Sequence, residues 1–341
     1  MTLKEIAKEA GVSISTVSRV VNKNSPGAAG KEVQDRIWEI VRRTGYTPNS
    51  TARTLKMGNG TDSVLSSRSI ACLFARTSDT VTDLFFTSLS RSIEQEAFKR
   101  NYVLKYSFSS FDINHPNTFR LISDSHVDGV VILGRCDKAL LKTLKTYFNC
   151  VAYTGLNNLE ARYDQIICDG HQAAVAAVNH LIDLNHTKIA YIGETWEENR
   201  YAGYQSALAD RRLPVRKDYV ANVTLSSEGG YQGVKRLLKA GCDATAYFCS
   251  NDVTAIGAMR AFQEAGLSIP KDVSLISIDD IDTAKYLNPM LTTVHIPVEE
   301  MGQMTAKILI DRIEGGHRLP LKINLPFYIA SRDSCACPGR R

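Results

Sequence analysis

Two sets of side chains in this 341-residue sequence have types and spacings that could do chemistry. The first lies in Val12-Ser-Ile-Ser-Thr-Val-Ser-Arg-Val-Val-Asn22. Coiled as a helix, this stretch turns Val17, Val20 and Val21 to one side. Ile14, Ser15, Thr16, Ser18, Arg19 and Asn22 remain for the rest of the surface. An outward arginine can fork onto the major-groove edge of guanine, and serine, threonine and asparagine reach base edges or phosphates. The second set is dispersed: Arg200, Asn251 and Asp279 fall at the ends of apolar runs or at the starts of helical ones. Such a trio can donate to and accept from vicinal hydroxyls, which is what a sugar presents. Trp196, shortly before Arg200, offers a ring platform, and Asp169 a further carboxylate. Plainer uses exist as well: Arg200 with Asp279 as a buried ion pair, Trp196 as an exposed loop residue.

The elements that must hold the first set are short. Leu3, Ile6, Ala7 and Ala10 recur at helical spacing, Gly11 suits a helix end, and Ser13 suits the N-cap of the next helix. A breaker-rich loop follows, then a third helix over about 31–44 with Val33, Ile37, Ile40 and Val41 apolar and Trp38 packed beside them. Two helices joined by a Gly turn and covered by a third form a helix-turn-helix head, expected over 1–45. Charge supports this. Residues 1–57 hold ten basic against five acidic side chains, whereas the other 284 carry 31 of each sign. A basic head on a neutral body is expected when only the head meets phosphate. Residues 46–56 read as a short helix, and 57–68, polar and Gly/Ser-rich, as a flexible linker.

From residue 69 the pattern is α/β. Buried-strand runs near 70–75, 102–108, 129–133 and 150–154 alternate with helical stretches near 84–100, 116–125 and 138–147. The same grammar restarts near 165 and continues to 278. Two doubly wound lobes with a crevice between their strand ends make a binding cleft. The expected fold is thus multidomain: an all-α helix-turn-helix head plus an α/β core of two lobes, of the periplasmic-binding-protein type.

The sequence resembles the LacI/GalR (lactose and galactose repressor) family of bacterial transcriptional regulators. The resemblance rests on the head, on Tyr46-Thr-Pro-Asn-Ser-Thr-Ala-Arg-Thr-Leu55, on Asn185-His-Thr-Lys-Ile-Ala-Tyr-Ile-Gly193 and on Arg200-Tyr-Ala-Gly-Tyr204. It extends through Ser250-Asn-Asp-Val-Thr-Ala-Ile-Gly257, Ser277-Ile-Asp-Asp280 and 289–302. It implies that 46–56 is a hinge helix, with Leu55 a minor-groove wedge, Ala52 its packing alanine and Asn49 near its start. It implies effector-binding roles for Arg200, Asn251 and Asp279, and aromatic contact from Phe85 and Phe86. It places three crossings between lobes near 158–164, 293–297 and 320–325. Lobe one is then about 69–160 plus 296–322, and lobe two about 161–295 plus 323–341, within a core of 69–341. With no leucine-heptad tail after Arg332, a homodimer rather than a tetramer is expected, and a symmetric dimer reads a near-palindromic operator.

The function expected is that of a repressor whose operator affinity answers to a small effector, a sugar by the Arg200, Asn251 and Asp279 match. The competing class is an enzyme or a solute-binding protein using the same core. No Gly-x-Gly-x-x-Gly, phosphate loop, Gly-x-Ser-x-Gly or His-Glu-x-x-His is present, so no catalytic residue or cofactor is expected. The start is helical rather than a signal sequence, and nothing approaches a membrane-spanning run, so a cytoplasmic, nucleoid-bound protein is expected. Asp279-Asp280-Ile-Asp282 resembles a metal site only superficially, and no metal is expected. Eight cysteines are scattered without ligand-like spacing. Cys335 and Cys337 are expected in a loose reduced tail.

Overall fold

The computed structural model describes residues 3–23, 29–44, 68–75, 84–109, 127–136 and 138–339. The chain divides into two compact units, Met1–Ser66 and Ser67–Arg341. The expected hinge helix with Asn49, Ala52 and Leu55, the linker over 57–67 and the helix over 116–125 lie outside the described residues.

The first unit holds α1 (Leu3–Ala10), α2 (Ile14–Lys23) and α3 (Lys31–Thr44). Ile6, Ala7, Ala10, Val17, Val20, Ile37, Ile40 and Val41 form its core, with Val21 and Trp38 packed against it. Gly11 makes the turn at a φ of 68°, a conformation that costs glycine nothing. The Ser13 hydroxyl accepts from the Thr16 amide at 3.1 Å, capping α2 as its side-chain type dictates.

In the second unit, β1 (Ser69–Phe74), β2 (Val103–Ser109), β3 (Gly129–Leu133), β4 (Val151–Gly155) and β5 (Asp164–Ile167) are joined by β11 (Lys322–Asn324). The sheet order is β11-β5-β4-β3-β1-β2, all parallel. The second sheet holds β6 (Ile189–Gly193), β7 (Val220–Asn222), β8 (Ala246–Cys249), β9 (Ser274–Asp279), β10 (Thr292–His295) and β12 (Tyr328–Ala330). Its order is β12-β10-β9-β8-β6-β7, with β12 antiparallel. Helices α4 (Leu84–Lys99), α5 (Lys138–Tyr147) and α10 (Val298–Ile313) serve the first lobe. Helices α6 (Gly170–Asp183), α7 (Asn199–Asp210), α8 (Ser227–Lys239) and α9 (Asp252–Glu264) serve the second. Each lobe repeats one doubly wound order, so each has a switch point where the strand order reverses: β1/β3 in one and β6/β8 in the other. Strands β1, β3 and β4 are buried along their whole length, as sheets covered on both faces require.

Two expectations are corrected. The first lobe crossing falls between β5 and α6, and the third between β11 and β12, a few residues beyond the expected positions. Gln165-Ile-Ile167 looks like the opening strand of a new lobe, but it pairs with β4; an apolar run does not say which sheet it joins. The C-terminal tail is also docked rather than loose. The Ser334 hydroxyl accepts from Thr292 N at 2.8 Å and donates to Leu275 O at 2.6 Å, and His186 bonds the Ala336 carbonyl. All eight cysteines are free thiols, and burial pushes Cys335 up to about 11. No described helix is long and apolar enough to cross a membrane.

Asp164, at the start of β5, is fully buried. It accepts from Arg312 Nη2 at 2.7 Å and Leu321 N at 2.8 Å, and His317 approaches at 3.2 Å. Burial by itself would raise this carboxyl; the Arg312 and Leu321 hydrogen bonds outweigh it and hold it below the usual range. Asp164→Ala strands Arg312 and is expected to cost about 3–5 kcal/mol in denaturant unfolding of the core. Because the folded pKa is depressed, the stabilisation is present above about pH 4 and is lost as pH falls further. The difference between wild type and variant therefore shrinks below that pH.

Candidate functional site

The carboxyl ends of the two sheets meet across a narrow cleft. Lobe one contributes Phe85 and Phe86 from the first turn of α4, Gly134 and Arg135 after β3, and Leu156 and Asn157 after β4. Lobe two contributes Glu198, Arg200, Leu225, Asn251 and Asp279. The switch-point rule thus positions the site. The residues following β3, β6 and β8 line the crevice because the flanking helices there leave to opposite faces.

Arg200 sits in the first turn of α7, 6% exposed. Its Nε donates to Glu198 Oε1 at 2.8 Å, its Nη2 to Glu198 Oε2 at 3.0 Å, and its Nη1 to the Ser250 carbonyl at 2.9 Å. Burial by itself would pull the guanidinium pKa down; the Glu198 carboxylate, with Asp279 nearby, pushes it up and keeps it charged. Glu198 also caps α7 through the Arg200 amide. The buried bidentate ion pair of this site is therefore Arg200 with Glu198, and Asp279 adds to the negative charge that holds the guanidinium.

Asn251 is the N-cap of α9, its Oδ1 accepting from Thr254 N at 3.0 Å. Asp279 ends β9 at a φ of 128°, followed by Asp280 at 58°. Positive φ at two successive aspartates costs on the order of 1–3 kcal/mol each, and such strain is concentrated at ligand sites. Asp280 is tied down by Arg332 Nη2 at 2.5 Å and His295 Nδ1 at 2.9 Å. Asp282 instead faces Lys285. Among the described residues no group of three or more His, Cys, Asp or Glu could hold a metal ion.

Phe85 and Phe86 pack edge to face, with ring centroids 5.2 Å apart. Phe85 is buried while Phe86 is half-buried. Gly134 has a φ of 82°, and a Cβ there would stand 2.7 Å from the Phe86 ring. Two candidates do not line the cleft. Asp169 caps α6, accepting from His171 N and Gln172 N, and the Trp196 side chain is 78% exposed. Glu198 and Arg135 escaped the sequence reading. Arg135 does follow a strand end, which is the one signal that marks it.

In the head, Ile14, Ser15 and Arg19 lie exposed on α2, and Thr16 and Ser18 are half-buried. Arg19 Nε donates to the Ser15 carbonyl at 3.3 Å, which lays the guanidinium along the helix surface. The side chain of Asn22 lies outside the described residues.

A model for bacterial regulatory proteins of the lacI family matches residues 2–49, and one for a periplasmic binding protein-like domain matches 178–335. The HTH-type transcriptional repressor PurR of Photorhabdus laumondii is 31% identical, covering 92% of this chain and 90% of its own length. The chain belongs to the LacI family. This LacI-family regulator is also similar to a solved LacI family transcriptional regulator from Enterococcus faecium with bound ribose. That structure is 30% identical, with a TM-score of 0.69, covering 79% of this chain and 99% of its own. The fold matches the lac repressor dimer bound to operator and the anti-inducer ONPF, with a TM-score of 0.78 at 23% identity over 98% of this chain and 99% of that one. As a family member the chain is a DNA-binding transcriptional regulator with a ligand-binding core, and not an enzyme.

Breaking the buried pair has an expected signature. Arg200→Ala leaves the Glu198 carboxylate buried with only the more distant Arg135, 3.8 Å away, and should cost up to about 3–5 kcal/mol in core unfolding. Adding Glu198→Gln should restore much of that loss. A double variant no more stable than Arg200→Ala would show that the pair is not the source of the stability.

Proposed function

We propose that this regulator is a homodimeric, cytoplasmic repressor that binds a near-palindromic operator and releases or tightens on it when an uncharged sugar occupies the core cleft. The observation that carries the reading is the convergence of Arg200, Asn251 and Asp279 on one crevice faced by Phe85 and Phe86. Polar groups on one wall suit hydroxyls, and rings on the other suit the C–H face of a pyranose or furanose. The ribose held by the Enterococcus faecium relative agrees with this. Asp169 and Trp196 stand outside this proposed set.

Charge narrows the ligand further. Of the described residues lining the cleft, Arg135 and Arg200 are cationic, and Glu198 and Asp279 anionic. Both guanidiniums already donate to acceptors within the chain. A phosphate or carboxylate would have to displace Glu198 or Glu194 to reach them, leaving a carboxylate beside the anion. The test is a thermal-shift screen of sugars, their phosphate esters and purines on the full chain. An uncharged sugar should raise the melting temperature more than its phosphate ester; a larger shift with the ester, or with a purine alone, would sink the reading.

On DNA, the proposal gives base contacts to Arg19, Ile14 and Ser15, with Thr16, Ser18 and Asn22 supporting them. Leu55, Ala52 and Asn49 act in the minor groove. Arg19→Ala should cost about 1–3 kcal/mol per half-site and relax selectivity at one base pair, measured by binding to a panel of operator variants. Equal weakening on every sequence would make Arg19 a phosphate contact instead.

A further inference from the structure

We infer that Arg135 is a clasp that holds the two lobes together across the mouth of the cleft and thereby sets how readily a ligand enters and leaves. Its role toward a ligand rests on the cleft reading above; its role as a clasp does not. Arg135 belongs to lobe one, directly after β3 and Gly134. Its hydrogen bonds to described residues go to lobe two. Its Nη1 donates to the Trp196 carbonyl at 2.7 Å and to the Glu197 carbonyl at 2.8 Å. Its Nη2 donates to Glu194 Oε2 at 2.9 Å, and Glu198 Oε2 lies 3.8 Å from Nη1.

The acceptors are built for a fork. They come from one loop, 194–198, between β6 and α7. Glu197 takes a φ of 47°, an uncommon conformation for a residue with a side chain, and the carbonyls before and after its Cα reach one guanidinium nitrogen. A planar guanidinium spans two carbonyls and a carboxylate at once, which a lysine ammonium on a flexible stem does poorly. The same loop ends in Glu198, the partner of Arg200. The clasp therefore grips the segment that carries the buried partner of Arg200.

A hinged pair of lobes with a clasp has two states, and each hydrogen bond made only in the closed one biases the ratio. Bonds to charged groups are the stronger kind, so losing the Arg135 fork should move the closed-to-open ratio about ten-fold or more. Exchange of cleft-wall amides that need opening should accelerate by the same factor.

The test uses the full chain without ligand, so failure of the sugar reading cannot be mistaken for failure of the clasp. Hydrogen–deuterium exchange is followed in peptides covering 84–89 on lobe one and 194–203 on lobe two, in wild type and Arg135→Met. The expected result is exchange about ten-fold faster on both walls, with exchange in β4 and β9 unchanged. The second variant, Glu194→Gln, removes one charge without touching Arg135 and should accelerate both walls less. Added to Arg135→Met it should accelerate nothing further. Arg135→Lys should fall between wild type and Arg135→Met. Trp38 and Trp196 are the two tryptophans of the chain, so a Trp38→Phe background makes Trp196 a sole reporter, whose anisotropy should fall in Arg135→Met. Exchange unchanged on both walls, or faster in 194–203 only, would overturn the proposal: Arg135 would then be a loop anchor. If Arg135→Met does not fold, Glu194→Gln decides between the same outcomes.

Discussion

The cleft depends on one buried ion pair. Taking Glu198 and Arg200 out of water costs several kcal/mol per ion, and only bidentate geometry with the remaining donors satisfied offsets it. That requirement fixes much else. The Arg200 Nη1 must find an acceptor and takes the Ser250 carbonyl, just past β8. Glu198 must stand at the N-terminus of α7, where it also accepts from a helix amide. Asp279, ending β9, lies close enough to reinforce the arginine's charge. One pair thereby aligns the carboxyl ends of three neighbouring strands, and the cleft-lining groups of lobe two inherit that alignment.

The strained turn beside it is held by a second polar cluster. Asp252 is fully buried and accepts from Ser277 Oγ at 2.5 Å, Thr293 Oγ1 at 2.6 Å and Ile281 N at 2.8 Å. Burial pushes its carboxyl up to about 6 even against those three donors. Asp280 is fixed by Arg332 and by His295, whose ring stacks on Tyr328 at 4.5 Å. Thr293 and His295 lie on β10, and Tyr328 on β12, the strands next to two of the lobe crossings. The backbone strain at Asp279 is thus over-determined by residues of the hinge strands. A change in hinge geometry is therefore felt at a cleft-lining carboxylate through direct contact, with no longer path required.

The repeating α/β grammar, the three head helices and the positions of Arg200, Asn251 and Asp279 were legible in the sequence because each rests on a local rule. Periodicity gives the elements, and the ends of parallel strands are where such folds bind. What was not legible depends on pairing across distance. Glu194, Glu197 and Glu198 crowd one loop, and nothing in their order says that one would bind Arg200, another Arg135, and the third would supply only its carbonyl. Asp169 looked available because it follows a strand, yet a helix starts there and its carboxylate serves the cap. The β5 run had the composition of an opening strand, and only the register with β4 assigns it to lobe one. The tail beyond Arg332 lacks periodicity, and its docking comes from single hydrogen bonds to β9 and β10.

The two walls of the cleft differ in kind, and that difference bears on why closure and binding belong together. Lobe one presents the Phe85, Phe86 and Leu156 side chains with Arg135 and Asn157 beside them, whereas lobe two presents Arg200, Glu198, Asn251 and Asp279 beside Leu225 and no aromatic ring. A molecule touching one wall satisfies either its apolar face or its polar groups, and the other side stays in water. Only the closed cleft satisfies both, so a ligand with two unlike faces has a differential affinity for that state, which is the quantity that shifts a conformational equilibrium. A uniformly polar ligand would gain nothing from the Phe85, Phe86 and Leu156 surface of lobe one, and a uniformly apolar one would leave the buried groups of lobe two unpaired. The asymmetry of the walls thus makes lobe closure part of recognition. It also follows from the fold, because two lobes of identical strand order can meet the same ligand with different residues at equivalent strand ends.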